Sequence, residues 1–277
     1  MKEQDCLRRF LFEDLAVRGE WVRLQDSWQA AKQHQQLNSD VEGQLGQALA
    51  AVVLLSATIK FEGAMILQAQ GDGALRTLVA QATHDKKIRG LVRYNSGVTS
   101  KTLPEMMGQG RLVLTIETEN APPYQGVVGL EGECLADMLH TYFMQSEQLQ
   151  TRLWLFANQN QAVGLFLQEL PAQSDFKADW ERIEILANTI TAVELFELDC
   201  EEVLYRLFNE EKVRIFPAEA VAFSCSCSDE KISTALKSIG QSELETVLAE
   251  RGAVEVDCEF CGKKYQFGAA EIASLFE

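Results

Sequence analysis

Apolar and polar positions change their rhythm twice along the chain, and the changes divide it into three stretches. Over residues 1–170 short β-prone runs alternate with longer apolar ones. "AMILQAQGDG" (64–73), "RTLVAQATH" (76–84), "KIRGLVRYN" (87–95) and "RLVLTIETE" (111–119) are broken by Gly, Asp, Asn and Lys, as in a meander or mixed sheet. "VEGQLGQALAAVVLLSATIKF" (41–61) and "CLADMLHTYFMQSEQL" (134–149) predict helices. Within the first, the apolar run 48–59 is too short for a membrane span and predicts a buried helix. The stretch is expected to form an α+β domain around one sizeable core. "QGDGAL" matches neither glycine-rich phosphate-binding pattern, so it predicts a hairpin turn.

From Pro171 the period becomes helical. Phe176, Trp180, Ile183, Leu186, Ile190 and Val193 form one apolar stripe, and Val203, Leu204, Leu207 and Phe208 form another. Helices over 171–222 must lay these stripes on another surface, most simply the sheet of the first stretch. Ordinary core packing and a cover that can detach both satisfy that pattern.

Residues 223–277 read as a small unit. Ser228 or Asp229 predicts an N-cap, Ser242 with Glu245 a capping box, and Gly252 a helix stop. "AVEVDCEFCGKKYQF" predicts a hairpin turning at its C-x-x-C, and "AAEIASLF" a closing helix. With few large side chains, such a unit is marginal without a staple.

Composition narrows the function. At 277 residues, 47% hydrophobic and 24% charged, the chain is an ordinary globular protein. Of its net charge of −16, residues 175–277 carry −12, from 10 Lys+Arg against 22 Asp+Glu. That end would repel a phosphate backbone, which argues against nucleic acid as a partner. The first fifteen residues lack the apolar core of a signal peptide, so a cytoplasmic location is expected, with no membrane partner. In a reducing cytoplasm, clustered cysteines indicate metal or redox chemistry more often than structural disulfides.

Four of the seven cysteines supply the staple: Cys225 and Cys227 as C-x-C, Cys258 and Cys261 as C-x-x-C. Zn²⁺ takes four tetrahedral sulfur or nitrogen ligands, and two short pairs meet that demand at little geometric cost. Structural zinc contributes on the order of 10–16 kcal/mol in small finger peptides. His34, His84 and His140 are not needed as ligands. A C-x-C pair closes a tight local disulfide and a C-x-x-C closes one readily, while zinc-held thiolates are the form that an oxidant attacks. On spacing alone, a redox-inert structural zinc and a redox switch both remain open. Cys6, Cys134 and Cys200 stand singly; Cys134 is expected to be a small buried residue, and no catalytic nucleophile, hence no enzyme, is predicted.

The order of motifs is similar to that of a known family. "RFLFEDLAVRGE" (9–20), "LLSATIKFEG" (54–63), "LQAQGDG" (67–73), "YQGVVGLEG" (124–132), "YFMQSEQLQTRL" (142–153) and the two cysteine pairs span nearly the whole chain. It resembles the redox-regulated bacterial heat-shock chaperone of thirty-three kilodaltons, an ATP-independent holdase. The resemblance implies an N-terminal mixed-sheet chaperone domain (1–170), a helical linker (171–222) and a C-terminal zinc-binding redox-switch domain (223–277). It implies one Zn²⁺ per chain on Cys225, Cys227, Cys258 and Cys261 in a reduced, inactive form. Oxidation is then expected to form Cys225–Cys227 and Cys258–Cys261 disulfides, release the metal, unfold switch and linker, and expose surface for unfolding clients. A homodimer in the active state and hand-over to ATP-dependent foldases belong to the same expectation. The rivals are a zinc-ribbon nucleic-acid binder, disfavoured by the acidic end, and a thiol oxidoreductase, for which the C-x-x-C lacks a thioredoxin-like strand and helix.

Overall fold

The computed structural model describes residues 3–95, 97–98, 102–119, 121–171 and 177–276. The chain forms two units, Met1–Phe223 and Ser224–Glu277. The first begins with β1 (Cys6–Phe12), β2 (Val17–Leu24), α1 (Asp26–Lys32) and α2 (Ser39–Thr58). A meander of β3 (Gly63–Gly71), β4 (Leu75–Thr83) and β5 (Lys87–Tyr94) follows, then α3 (Leu103–Met107), β6 (Gly110–Thr118) and β7 (Ala121–Gly129). Next come α4 (Leu135–Tyr142), a π-helical turn (Phe143–Glu147), β8 (Thr151–Ala157) and β9 (Ala162–Glu169). The unit closes with α5 (Lys177–Ala187), α6 (Ala192–Glu197), α7 (Cys200–Phe208), β10 (Val213–Ile215), β11 (Glu219–Ala220) and β12 (Ala222–Phe223).

Among the described residues these strands make two six-stranded sheets. One has the order β10-β1-β2-β9-β8 with β11 also on β1; the other runs β12-β5-β4-β3-β6-β7. Helix α2 packs on strands of both. Its N-terminus is capped by the Asn38 side chain, which accepts from Val41 N at 2.9 Å. Val41, Leu45, Leu49, Val52 and Leu55 are fully buried, and so are the alanines between them. A helix apolar on every side needs partners on every side. By composition α2 would pass for a membrane span, yet most of it is buried inside this unit, as the run at 48–59 predicts. Close approach demands small residues: a Cβ on Gly46 would stand 2.5 Å from Ala157 Cβ, and one on Gly90 2.9 Å from Leu45 Cδ1.

A second apolar cluster lies on the other face of the first sheet. Phe10, Phe12, Trp21, Val163, Leu165 and Leu167 meet Trp180, Ile183, Leu195, Val203, Leu204, Leu207 and Phe208 of α5–α7. The stripes of the second stretch therefore do lie on this sheet. The first stripe is two helices rather than one: α5 ends at Ala187, and Thr191 recaps the chain by accepting from Glu194 N at 3.3 Å. The break turns Val193 outward, 60% exposed, while Phe176 lies outside the described residues. Helix α4 is likewise shorter than the run 134–149, giving way to the π-helical turn after Tyr142.

Strands β1, β2 and β7–β9 were not signalled by the pattern. In the first sheet β2 and β9 are buried on both faces, so they lose the alternation of apolar and polar positions, whereas β7 of the second sheet is mostly exposed and carries two prolines. Arg23 and Glu20 of β2 are 1% and 2% exposed. Strands β10–β12 are only two or three residues long, and so show no period; they pair with β1 and, in parallel, with β5. "QGDG" is the β3–β4 turn, and its Asp72 carboxylate accepts from Gln109 N at 2.8 Å.

The second unit contains α8 (Asp229–Ile239), α9 (Gln241–Arg251), β13 (Val254–Asp257), β14 (Lys264–Phe267) and α10 (Ala269–Leu275). Ser228 caps α8, accepting from Lys231 N at 3.3 Å. Gly252 stops α9 at φ 79°, its N–H donating to Leu248 O at 2.8 Å. The Ser242–Glu245 capping box is not formed: α9 starts two residues earlier, with Gly240 at its N-cap, and Glu245 instead accepts from Gln241 Nε2 at 2.8 Å. The apolar core is small, with Leu236, Leu244, Val254, Tyr265, Phe267 and Ile272 packed around buried Cys258.

Candidate metal centre

Strands β13 and β14 pair from Val254↔Phe267 to Asp257↔Lys264, leaving Cys258–Lys263 as the connecting loop. Cys258 O accepts from Cys261 N at 3.3 Å and from Gly262 N at 2.7 Å, while Cys258 N donates to Lys263 O at 2.9 Å. The turn needs φ 68° at residue 262, which glycine adopts without strain. These bonds fold the C-x-x-C into a knuckle. Cys225 and Cys227 come from the irregular segment between β12 and α8.

All four sulfurs lie within 4.8 Å of one another. Cys225 Sγ is 3.6 Å from Cys258 Sγ, and Cys227 Sγ is 3.4 Å from Cys261 Sγ. A disulfide needs about 2.05 Å, so the thiols are free. A tetrahedral zinc with Zn–S of about 2.3 Å sets its sulfurs about 3.8 Å apart. The observed spread brackets that edge, and four soft donors without a competing carboxylate are the set that Zn²⁺ favours. The cluster can hold a metal ion.

Burial opposes ionisation of Cys227, but the adjacent Tyr265 phenol and the other three thiols outweigh it and bring Cys227 down to about 7. Burial and the same neighbours push Cys261 up to about 12 and raise Cys225. A bound dication would favour the thiolate form of all four. Sequence reasoning did not single out Tyr265; only the pairing of β13 with β14 puts it there.

The remaining candidates lie elsewhere. His84 Nδ1 accepts from Gly63 N at 3.2 Å, and His140 Nδ1 donates to Thr151 O at 2.7 Å, both in the first unit. Cys6 of β1 and Cys200, the first residue of α7, are buried in the cluster between sheet and helices; burial pushes the Cys6 thiol up to about 11 and raises Cys200 as well. Cys134 is half-buried rather than buried, because it stands at the N-cap of α4, where its N–H donates to Asp137 Oδ2 at 3.1 Å.

A helix held between two sheets, a second helical layer and a four-thiol unit further along the chain make this an α+β protein with a candidate metal site. The crystal structure of the 33 kDa chaperonin, or heat shock protein 33 homolog, of Thermotoga maritima is similar at a TM-score of 0.84 and 25% identity, over 98% of this chain and 97% of that one. The family model described as Hsp33 protein matches residues 5–268. The 33 kDa chaperonin of Nitrosococcus oceani is 54% identical, covering 100% of this chain and 96% of its own. That of Shewanella baltica is 43% identical, over 99% and 96%. The chain belongs to the Hsp33 family. Its function is that of a chaperone, which binds unfolded proteins.

Proposed function

We propose that this chaperone is an ATP-independent holdase switched by oxidation, with residues 1–170 as its body, 171–222 as its linker and 223–277 as its switch. In the reduced form Cys225, Cys227, Cys258 and Cys261 hold one Zn²⁺, which supplies a cross-link between the two ends of the switch. Oxidation pairs Cys225 with Cys227 and Cys258 with Cys261. Four thiolates give up four electrons as the two S–S bonds form and Zn²⁺ leaves, and two molecules of peroxide take those electrons with four protons from solvent and become four of water.

The balance of magnitudes explains why this would unfold rather than stabilise. Zinc in such sites contributes on the order of 10–16 kcal/mol. Closing loops of three and four residues restores only about 2 kcal/mol each of chain entropy. The core around Leu236, Leu244 and Phe267 is too small to make up the difference.

The observation that carries the reading is the second apolar cluster. Phe10, Phe12, Trp21, Leu165 and Leu167 would be exposed as one face if α5–α7 left the sheet. The chain between α7 and Cys225 is short and adds only β10–β12 to the sheets. An unfolded switch followed by an unfolded linker would therefore present apolar surface for clients without ATP. The acidic charge of residues 175–277 would keep the released segment in solution. This reading makes the protein a cytoplasmic non-enzyme, dimeric when active, that passes clients to ATP-dependent foldases.

The test is peroxide treatment at raised temperature, with zinc followed by a metal-sensitive dye and client protection by light scattering. Loss of one zinc per chain should rise together with suppression of a thermally aggregating enzyme, and dithiothreitol with zinc should reverse both. Zinc that stays, or that leaves without gain in protection, would falsify the switch. Chelation under reducing conditions is the second arm. It should unfold α8–α10 and leave α2, the buried helix of the first unit, protected from hydrogen exchange.

A further inference from the structure

We propose that Arg23 of β2 is the latch that holds the α6–α7 cover on the sheet and sets how readily it opens; this rests on the covered-face reading above. The chain breaks between α6 and α7 at Leu198, and a helix that ends there leaves carbonyls without partners. Arg23 fills the break from beneath. Its Nη2 donates to Leu195 O at 3.1 Å and to Leu198 O at 2.5 Å, and its Nη1 pairs with the Asp199 carboxylate at 2.9 Å. Nη1 also donates to Glu3 O at 3.3 Å, and the guanidinium lies 4.9 Å from the Trp21 ring centre. One side chain of the sheet thus caps the end of α6 and neutralises the residue that starts α7.

Other ion pairs of the cover differ in kind. Arg152–Glu184 and Arg206–Glu194 have arginine side chains 37% and 43% exposed, and such pairs contribute little. Arg23 is 1% exposed. A buried guanidinium has partners or is strongly disfavoured, so its bonds act together: the junction stays docked with all of them or leaves. A second tier supports it. Glu3 joins Arg8 at 2.9 Å and accepts from Cys200 N at 3.1 Å, while Arg8 reaches Glu201 at 3.0 Å and Phe216 O at 3.1 Å.

The experiment uses the full-length reduced protein loaded with zinc. Arg23→Met keeps the length of the side chain and removes its donors; Asp199→Asn removes charge from the cover and leaves the sheet intact. Hydrogen exchange is read in peptides from residues 192–208 and from α2, with binding of an apolar fluorescent dye as temperature rises and zinc content as a check. Arg23→Met should speed exchange in 192–208 at least tenfold, leave α2 within twofold of the parent and keep its zinc. Its dye-binding onset should fall by several degrees, and Asp199→Asn should move the same readouts less. The latch is overturned if both variants exchange like the parent in 192–208, or if α2 loosens as much as the cover does. Should Arg23→Met loosen the cover while peroxide fails to do so in the parent, the latch stands and the oxidative switch falls.

Discussion

Truncating Phe208 to alanine separates the two apolar layers of the first unit. Phe208 is 2% exposed, and its ring meets Phe12 edge-on at 5.0 Å between centroids. A buried Phe→Ala change costs about 3–5 kcal/mol in lost transfer energy and residual cavity, the aromatic pair being about 0.5–1.5 kcal/mol of it. The ring contact with Phe12 joins α7 to the outer face of the first sheet. The loss should therefore fall on the docking of the cover. At 1.36 kcal/mol per tenfold, local opening of α5–α7 should become roughly two to almost four powers of ten more frequent. Hydrogen exchange of the reduced protein reads this directly, with α2 as the internal reference. The matched control is Phe166→Ala, on the opposite face of the same sheet, fully buried in the cluster with α2. It should loosen α2 by a similar factor. Equal loosening of α2 by Phe208→Ala would refute the reasoning, because the two clusters would then open as one core.

Two further sets of outcomes concern β2 and α2 of the first unit. Burial pushes the Glu20 carboxyl up to about 8, only partly offset by Arg18 and Arg9, with Glu219 and Lys86 also facing it. Its stabilising contribution is complete below the ordinary carboxyl value of about 4.5 and is lost as pH rises through about 8. Glu20→Gln should therefore gain on the parent from pH 5 to pH 8.5, by a few kcal/mol at the upper end, read as urea midpoints; parallel pH curves would count against it. Alanine at two glycines of α2 should act with opposite signs. Gly43→Ala enters open space and should raise the melting temperature through about 1 kcal/mol of helix propensity. Gly46→Ala would set its Cβ 2.5 Å from Ala157 Cβ and should lower it, since overpacking of about 1–3 kcal/mol outweighs that gain.

Much of the small unit was legible from local signals. Ser228, Gly252 and the hairpin around Cys258 and Cys261 are short-range features, set by backbone conformation and turn chemistry within a few residues. The same holds for α2, whose apolar run needs no partner to be recognised, and for the four thiols, whose paired spacing is itself the signal. Nearly the whole length also carried recognisable family motifs.

Tertiary structure alone decided which faces those elements bury. The charged residues of β1 and β2 suggested no strand, because a pattern reading assigns arginine and glutamate to water. Here Arg23 is enclosed by carbonyls of a helix break about 170 residues away, and Glu20 lies between two sheets. The division of 175–199 into α5 and α6, the three short strands near 213–223 and the place of Tyr265 beside Cys227 share this origin. Each rests on pairing between segments far apart in the chain, and neither periodicity nor propensity encodes a partner. The sequence determined the elements and the metal-ligand chemistry; the fold determined that one apolar face lies beneath a helical cover and that a single buried arginine spans its seam.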